Sequence, residues 1–332
     1  MLFLKIKYLI EMAREVVIGI DIGGTYTKYG FVERKGDCFL DGSVNTNEYP
    51  DVHSFLKDLF RSINKSIESS DTELKIMGIG VGAPIGNYYS GTIEDASNLN
   101  WKGIIPLVDL IKQYYDIPVV LSNDANAAAL GEMMFGGAKN MKDFIVITLG
   151  TGLGSGIVVN GNVAYGHDGY AGELGHIVAV DDGRLCGCGK RGCLETYASA
   201  TGIRRTVFEL LAEYTDDSDL RKIAFEDLTA KMITEAAKKG DKIALQAFEI
   251  TGKILGRNLA NAVAFSSPEA IFLFGGLAAA GDFIFSPTKE HMEKNLLKIF
   301  QNKVKLLPSG LQDKNAAVLG AAGLIWKELL HL

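Results

Sequence analysis

The chain of 332 residues has little of several features that mark particular classes of protein. Its longest early apolar stretch, residues 1–10, is interrupted by Lys5 and Lys7, and no small-residue cleavage site follows it. A signal peptide or a membrane span would need an uninterrupted apolar run. We therefore predict a cytoplasmic protein without a membrane partner.

Positive charge is neither abundant nor concentrated in one region. The 34 Lys and Arg residues are outnumbered by 40 Asp and Glu, which gives a formal net charge of −6. A protein that binds nucleic acid needs a basic face to follow the phosphates, so we predict no nucleic-acid partner. Apolar residues are plentiful, at 47% of the chain. This content is enough for a full core, and the length allows two domains.

Two segments share one pattern, in which an apolar run leads into a turn rich in Gly and Thr and then into a second apolar run. They are VVIGIDIGGTYTKYGFV at residues 16–32 and FIVITLGTGLGSGIVV at residues 144–159. Each predicts a β-hairpin with a glycine-rich tip. The repeat, roughly 130 residues apart, predicts two lobes built on one plan that offer phosphate-sized loops to a shared cleft.

The rest of the chain predicts an α/β domain organisation. We expect an N-terminal extension at residues 1–15, a small α/β lobe at 16–122 and a large α/β lobe at 123–315. An amphipathic last helix within 316–332 is expected to return to the small lobe. Further expected elements are helices at 52–69 and 107–115 and strands at 75–81, 118–121 and from 271. The stretch at 198–264 is expected to be mostly helical, with polar breaks at 216–219 and 238–241.

Three glycine-rich turns are candidate nucleotide-binding loops. Glycine lets backbone N–H groups approach phosphate oxygens, and a neighbouring hydroxyl and carboxylate can serve phosphate and hydrated Mg²⁺. Any one of these turns could simply close a tight hairpin, but three such turns in one chain favour a site that holds a nucleotide between them. No GxxxxGK[ST] run is present, so a Walker loop is excluded. The candidate residues are Asp21, Gly23, Gly24, Thr25, Lys28, Gly150, Thr151, Gly152, Gly275 and Gly276.

Asp124 is the candidate catalytic base. It stands in SNDANAAALGE, directly after a predicted strand. A carboxylate at the end of a parallel strand faces the ligand crevice, where it can accept the proton of an attacking sugar hydroxyl. Ser122, Asn123 and Asp124 are also residue types that cap helices, so the alternative is that Asp124 only begins the next helix.

Three of the four cysteines lie within eight residues of one another and follow a histidine. One imidazole and three thiolates, from His176, Cys186, Cys188 and Cys193, would make a closed tetrahedral structural zinc site, which we call the zinc knuckle (residues 176–193). A buried histidine beside inert cysteines is the alternative. Glu173 and Glu195 flank the knuckle, where they could accept hydrogen bonds from a polyol or could be ordinary surface acids.

Taken together, these motifs closely resemble the ROK family of sugar kinases and repressors, from about Val16 to the C-terminus. The resemblance implies an actin-like, ribonuclease-H-type fold that binds ATP, Mg²⁺ and a hexose. The motifs that carry it are IDIGGTYTK, GVGAP, NLNW, SNDANAAALGE, LGTGLGSG, AGELGHI and CGCGKRGCLE.

The resemblance also implies roles for individual residues. Asp124 corresponds to the base that accepts the 6-hydroxyl proton, and Asn123 to a residue that hydrogen-bonds the sugar. Glu173, His176 and Glu195 are similar to residues that hold hydroxyls near the anomeric end, with one His176 nitrogen on zinc and the other toward the sugar. Asn98 resembles a further sugar contact. Ile85 and Gly86 depart from the family pattern in a loop expected to border the sugar.

The expected function is phosphorylation of glucose at the 6-hydroxyl by ATP, in a homodimer or homotetramer. N-acetylmannosamine, N-acetylglucosamine, mannose, fructose and allose remain alternative acceptors, and polyphosphate an alternative donor. Two other classes are less favoured. A ROK repressor would need a DNA-binding domain, for which the 15 residues before Val16 are too few, and an inactive sugar-binding module would be expected to lack the base or a phosphate loop.

Overall fold

The computed structural model describes residues 13–96, 98–311 and 315–330, so most of the predicted extension at 1–15 and the end of the last helix lie outside the described residues. The chain divides into two compact units. The first comprises the described residues up to Asn140 with Tyr165–Ala171 and those from Gly310 onward, and the second comprises Met141–Ala164 and Gly172–Ser309.

Strands and helices alternate along most of the chain. The strands are β1 (Arg14–Ile22), β2 (Tyr26–Glu33), β3 (Cys38–Asn45), β4 (Leu74–Gly82), β5 (Ile93–Glu94), β6 (Ile104–Ile105), β7 (Val119–Ser122), β8 (Phe144–Leu149), β9 (Leu153–Val159), β10 (Asn162–Val163), β11 (Ala270–Phe274) and β12 (Lys305–Pro308). The helices are α1 (Val52–Glu68), α2 (Leu107–Lys112), α3 (Asp124–Phe135), α4 (Ala200–Glu213), α5 (Ala230–Lys238), α6 (Lys242–Ser266), α7 (Asp282–Asn295) and α8 (Ala316–Leu329).

The two units contain five-stranded sheets of the same design. The first sheet has the order β3-β2-β1-β4-β7 and the second the order β10-β9-β8-β11-β12. In each, the central strand is antiparallel to the second strand of its hairpin and parallel to the next strand across the sheet. The duplicated α/β plan that the two hairpin sequences predict is therefore confirmed.

Each unit buries its own apolar core against its sheet. In the first unit, Ile18, Ile20 and Phe31 of the sheet pack with Phe55 and Leu59 of α1. Helix α1 begins where predicted because the Asp51 side chain accepts hydrogen bonds from the backbone N–H groups of His53 and Ser54. In the second unit, the sheet packs with α4, α5, α6 and α7. Among the described residues, no helix is long and apolar enough to cross a membrane.

The predicted boundary near Ser122 is not where the units divide. Helix α3 lies beyond that boundary, yet it belongs to the first unit because it packs on α8 with almost no space between the backbones. A Cβ atom at Gly320 would lie 2.8 Å from the carbonyl oxygen of Ala127. Helix α8 in turn lies against the sheet, since a Cβ at Gly80 would lie 1.9 Å from the carbonyl oxygen of Ala321. The first unit therefore includes α3 and extends to Asn140.

Some other helix predictions were wrong. The helix predicted at 107–115 ends earlier, at Lys112. The mostly helical stretch at 198–264 is confirmed by α4, α5 and α6, and both predicted breaks fall between these helices, although the first gap, at 214–229, is longer than predicted. Helix α8 is not amphipathic. Its residues Val318 to Trp326 are all buried, because α3 covers one side of the helix and the sheet covers another.

Candidate functional site

The first unit brings Asp21 and Asp124 together at the carboxyl edge of its sheet. Asp21 of β1 pairs with Gly82 of β4, which pairs with Ser122 of β7, and the chain then enters Asn123 and Asp124. A Cβ atom at Gly82 would lie 3.9 Å from Asp21 Oδ1 and 3.8 Å from Asp124 Cα. The two acids therefore border the same space above Gly82, at the edge where α/β proteins bind ligands.

Asp124 is not needed to cap α3. The cap is Asn123, whose Oδ1 accepts the backbone N–H of Asn126 at 2.7 Å. The Asp124 carboxylate accepts the N–H of Ala125, at 2.8 Å. Its side chain keeps one exposed face, while the protein around the carboxylate desolvates it and raises its pKa above the ordinary value. Asp124 is thus a reachable and basic carboxylate.

Asp21 titrates close to neutrality. Burial raises its pKa from 3.8 to about 6, and the negative charge of Asp124 adds to the effect. Lys28, the cross-strand partner of Asp21 in β2, opposes the shift with its positive charge. Asp21 and Asp124 are therefore neighbouring carboxyl groups whose ionised forms would be stabilised by a nearby cation.

We expect Asp21→Asn to stabilise the protein above pH 6. A carboxyl group whose pKa is higher in the folded than in the unfolded state contributes stability below its unfolded pKa, and this contribution is lost as the pH rises through the folded pKa. The difference in free energy of unfolding between variant and parent should therefore grow from near zero at pH 4 to about 2–3 kcal/mol at pH 8. Urea unfolding of both proteins at pH 4 and pH 8 measures this difference in free energy. A difference that is the same at both pH values would contradict the raised pKa of Asp21.

The tip of the first hairpin touches the loop that contains Asn98. A Cβ atom at Gly24 would lie 2.6 Å from the carbonyl oxygen of Asn98. Gly23 donates its N–H to Tyr26, and the carbonyl of Thr25 accepts the N–H of Thr46 at 2.7 Å, which closes the tip. The side chains of Thr25 and Asn98 are exposed. Within the first unit, the predicted nucleotide and sugar residues are thus neighbours.

The second unit brings its two glycine-rich turns to one edge. The N–H of Leu277 donates to the carbonyl of Leu149 at 3.1 Å, so the turn after β11 lies beside the turn after β8. Gly275 has φ +105°, and a Cβ atom there would lie 2.7 Å from the carbonyl oxygen of Leu149. A Cβ at Gly150 or Gly276 would meet nothing within 4 Å. These two glycines are therefore not required by packing within the protein, which leaves the space over them open to a ligand.

The four predicted zinc ligands converge in the second unit. The ligand atoms of His176, Cys186, Cys188 and Cys193 all lie within 4.8 Å of one another. The Cys188 and Cys193 sulfurs are 3.6 Å apart, and His176 Nδ1 is 3.6 Å from the Cys186 sulfur. Bonds of about 2.3 Å to sulfur and 2.05 Å to nitrogen in a tetrahedron imply separations of about 3.8 Å and 3.6 Å. The donor set and its spacing fit a Cys₃His zinc site.

The two flanking glutamates lie beside His176. Its Nε2 atom is 3.9 Å from Glu173 Oε2, and its Nδ1 atom is 3.8 Å from Glu195 Oε1. The histidine therefore turns one nitrogen to the cysteines and the other toward Glu173. Glu195 also accepts the N–H of Leu153 at 3.3 Å, and a Cβ atom at Gly152 would lie 2.5 Å from its Oε2. Glu195 thus connects the knuckle to the tip of the second hairpin.

Arg184 holds the knuckle in place, although the sequence does not indicate it. Its guanidinium donates to the Thr196 carbonyl at 2.7 Å and to the Gly202 carbonyl at 3.1 Å, and it stacks 4.4 Å from the Tyr197 ring centre. It also pairs with Glu209. These partners lie 12–25 residues further along the chain, so no local pattern could have identified the residue.

Comparisons with known proteins give a consistent result. Residues 17–328 match the family described as the ROK family. The glucokinase of Halalkalibacterium halodurans is 35% identical over 93% of this chain and 94% of its own length. The crystal structure of a ROK family glucokinase from Streptomyces griseus in complex with glucose and AMPPNP has a TM-score of 0.79 and 32% identity, and covers 93% of this chain and 98% of that one. A xylose repressor of Caldicellulosiruptor bescii is 30% identical over 97% of this chain and 81% of the repressor.

Proposed function

The chain belongs to the ROK family, and from that membership we propose that it is an ATP-dependent sugar kinase that phosphorylates glucose at the 6-hydroxyl. The observation that carries the proposal is the state of Asp124. The residue is exposed and the pKa of its carboxyl group is raised. It does not cap α3, because Asn123 does so. A repressor or a passive sugar-binding module has no need of such a base. The relatives named glucokinase and the actin-like ATPase fold of the structural relatives support the same reaction.

In the proposed reaction, Asp124 accepts the proton of the sugar 6-hydroxyl as its oxygen attacks the γ-phosphorus of ATP. A bond forms between that oxygen and phosphorus, the bond to the β-phosphate oxygen breaks, and ADP leaves. Most of the catalysis in such transfers comes from positioning and from stabilising charge on the phosphoryl oxygens. A carboxylate with a raised pKa is a better proton acceptor than an ordinary aspartate.

The glycine-rich turns are the proposed phosphate contacts. The turns are those of Gly23, Gly24 and Thr25 in the first unit, and of Gly150 to Gly152 with Gly275 and Gly276 in the second. Gly150 and Gly276 have open space where a side chain would stand, so their backbones are the most accessible to a phosphate. Asp21 and the Thr25 hydroxyl are the proposed groups for Mg²⁺, which would neutralise charge on the phosphates. Burial and the neighbouring charge of Asp124 raise the pKa of Asp21, and a bound cation would reverse that shift.

The sugar is proposed to be held by amide, carboxylate and imidazole groups. Asn123 uses its Oδ1 for the helix cap, so its NH₂ group is the part that can donate to a hydroxyl. Glu173, His176 and Glu195 are adjacent in the second unit and offer acceptors for two neighbouring hydroxyls. Asn98 is proposed as a further contact. The zinc knuckle would fix the tautomer and orientation of His176, and with four protein ligands it has no open position for catalysis.

We expect glucose to be phosphorylated with at least tenfold higher kcat/KM than N-acetylglucosamine or N-acetylmannosamine. The paired acceptors Glu173 and Glu195 suit hydroxyl donors, and a site built to bond a hydroxyl discriminates strongly against a substrate that does not supply it. A coupled assay for ADP with ATP and a panel of hexoses measures the ratio, and the same panel with polyphosphate tests the donor. If an N-acetylated sugar were preferred tenfold, the glucose assignment would fail and the kinase assignment would stand. No turnover with any hexose would favour a repressor or binding module.

A further inference from the structure

A short segment of the chain leaves the second unit and returns to the first. Residues Tyr165–Ala171, which we call the return segment, belong to the first unit, although Met141–Ala164 before it and Gly172–Ser309 after it belong to the second. The segment ends two residues before Glu173, a proposed sugar contact. Three consecutive residues of the first unit hold it, namely Asn87, Tyr88 and Tyr89.

Asn87 makes the polar contact to the return segment. Its side chain is buried, with 4% of its surface exposed. The Nδ2 group donates to the carbonyl of Asp168 at 2.7 Å, while Oδ1 accepts the N–H groups of Tyr89 at 2.9 Å and Ser90 at 3.2 Å. Gly169 packs so closely that a Cβ atom there would lie 2.6 Å from Oδ1. A buried amide with both ends bonded in this way fixes the loop and the segment relative to each other.

Two tyrosines add an aromatic contact. The rings of Tyr88 and Tyr165 stack with centroids 4.1 Å apart and an interplanar angle of 6°. The Tyr88 hydroxyl donates to Glu328 of α8 at 3.0 Å, and the Tyr89 hydroxyl donates to the carbonyl of Gly166 at 3.1 Å. The return segment is therefore bound to the loop and, through Tyr88, to the buried helix α8.

The end of the segment is fixed as well. Ala171 donates its N–H to the carbonyl of Tyr165 at 3.0 Å, which closes the segment into a compact turn. The next residue, Gly172, has φ +96°, and its carbonyl accepts the N–H of Leu174 at 2.8 Å and the hydroxyl of Ser155. Glu173 follows Gly172 directly, so a single residue separates it along the chain from the return segment.

We propose that Asn87, Tyr88 and Tyr89 are positioning residues for the sugar contacts at Glu173 and His176, acting through the return segment. The inference rests on the proposed sugar kinase function. It assigns a role to the loop at residues 87–89, since this loop holds the segment that leads into Glu173. A displacement of about 1 Å at a substrate contact can cost on the order of 10²-fold in rate, so loosening the segment should weaken sugar binding before it affects ATP.

The test compares two tyrosine stacks in the first unit. Tyr88→Ala removes the stack on Tyr165 and the bond to Glu328, whereas Tyr88→Phe keeps the stack. Tyr114→Ala is the matched control, because Tyr114 stacks on Phe60 with centroids 4.5 Å apart and has no part in the proposed mechanism. We expect Tyr88→Ala to raise the KM for the preferred hexose about tenfold or more with the KM for ATP within twofold. Tyr88→Phe should restore most of the loss, and the control should match the parent.

Tyr89→Phe is a second, milder variant that tests the same proposal if the Tyr88→Ala protein does not fold. It removes only the exposed hydroxyl that bonds Gly166, and it should raise the sugar KM about threefold, as expected for a neutral hydrogen bond. Hydrogen exchange of the peptide spanning residues 165–173 should be faster in both variants, with or without activity.

Different outcomes separate the two claims. A parent that phosphorylates no hexose would remove the proposed function. An active parent whose Tyr88→Ala and Tyr89→Phe variants keep its sugar KM, or lose ATP and sugar affinity equally, would overturn the positioning role alone.

Discussion

Replacement of Asp124 by Asn is expected to lower kcat at least about 10²-fold while the protein stays folded, because general base catalysis typically contributes 10²–10⁴-fold. The amide has nearly the shape of the carboxylate and can still lie above Gly82, but it cannot accept a proton. Helix α3 should survive the change, since its cap is the Asn123 side chain. Steady-state kinetics with glucose and ATP, with a thermal melt of each protein, measure both parts.

The pH profile gives an independent check on the same residue. The pKa values of Asp124 and Asp21 are both raised, and a base works only when ionised. The parent's kcat/KM should therefore begin to fall, as the pH is lowered, at a pH above the ordinary aspartate pKa of about 3.9. Asp116→Asn, which changes an exposed acid before β7, is the control and should behave as the parent. Turnover of Asp124→Asn within fivefold of the parent would reduce Asp124 to a structural residue.

The second large effect is expected from the zinc knuckle. Cys188→Ser should lower the zinc content from about one per chain and raise the KM for the sugar about 10–100-fold, while the KM for ATP changes little. Within the knuckle, the Nδ1 atom of His176 lies on the side of the cysteines and the Nε2 atom faces Glu173. Glu195 contacts both His176 and the thiol of Cys186. Loss of the metal would release all three proposed sugar contacts together.

Cys38→Ser is the matched control for the zinc prediction. Cys38 is the fourth cysteine, lies in β3 of the first unit and is not part of the ligand cluster. Its replacement should leave the zinc content and the sugar KM unchanged. Metal analysis and titration of both substrates on parent and variants are the measurements. A parent without bound zinc would remove the metal site. Equal losses of sugar and ATP affinity in Cys188→Ser would mean that the knuckle supports the whole second unit instead of the sugar contacts.

Much of the candidate site could be predicted from the sequence, because its motifs consist of residues that are close together in the chain. The zinc ligands lie within 18 residues, and their spacing with glycines between them predicted the convergence that the structure has. The two hairpins were predicted from alternating apolar runs and Gly-Thr tips, and both form the centre of a sheet. The start of α3 followed from the residue types at 122–124, although the sequence did not decide which of them caps the helix.

The sequence by itself thus predicted most of the strands and helices, the cluster of His176 with three cysteines, and the candidate base, since each depends on residues close together in the chain. Only the tertiary structure decided where the units divide, why α8 is buried on nearly all sides, and which residues hold Tyr165–Ala171. It also buried Asp21 and brought it beside Asp124, about 100 residues away in the chain; the burial first, and then the charge of Asp124, raise the pKa of Asp21 to about 6. These properties arise where segments far apart in the chain pack their backbones closely and exclude water from each other's side chains. A local sequence pattern does not show which distant segments will meet, so it cannot predict the free energy of these contacts.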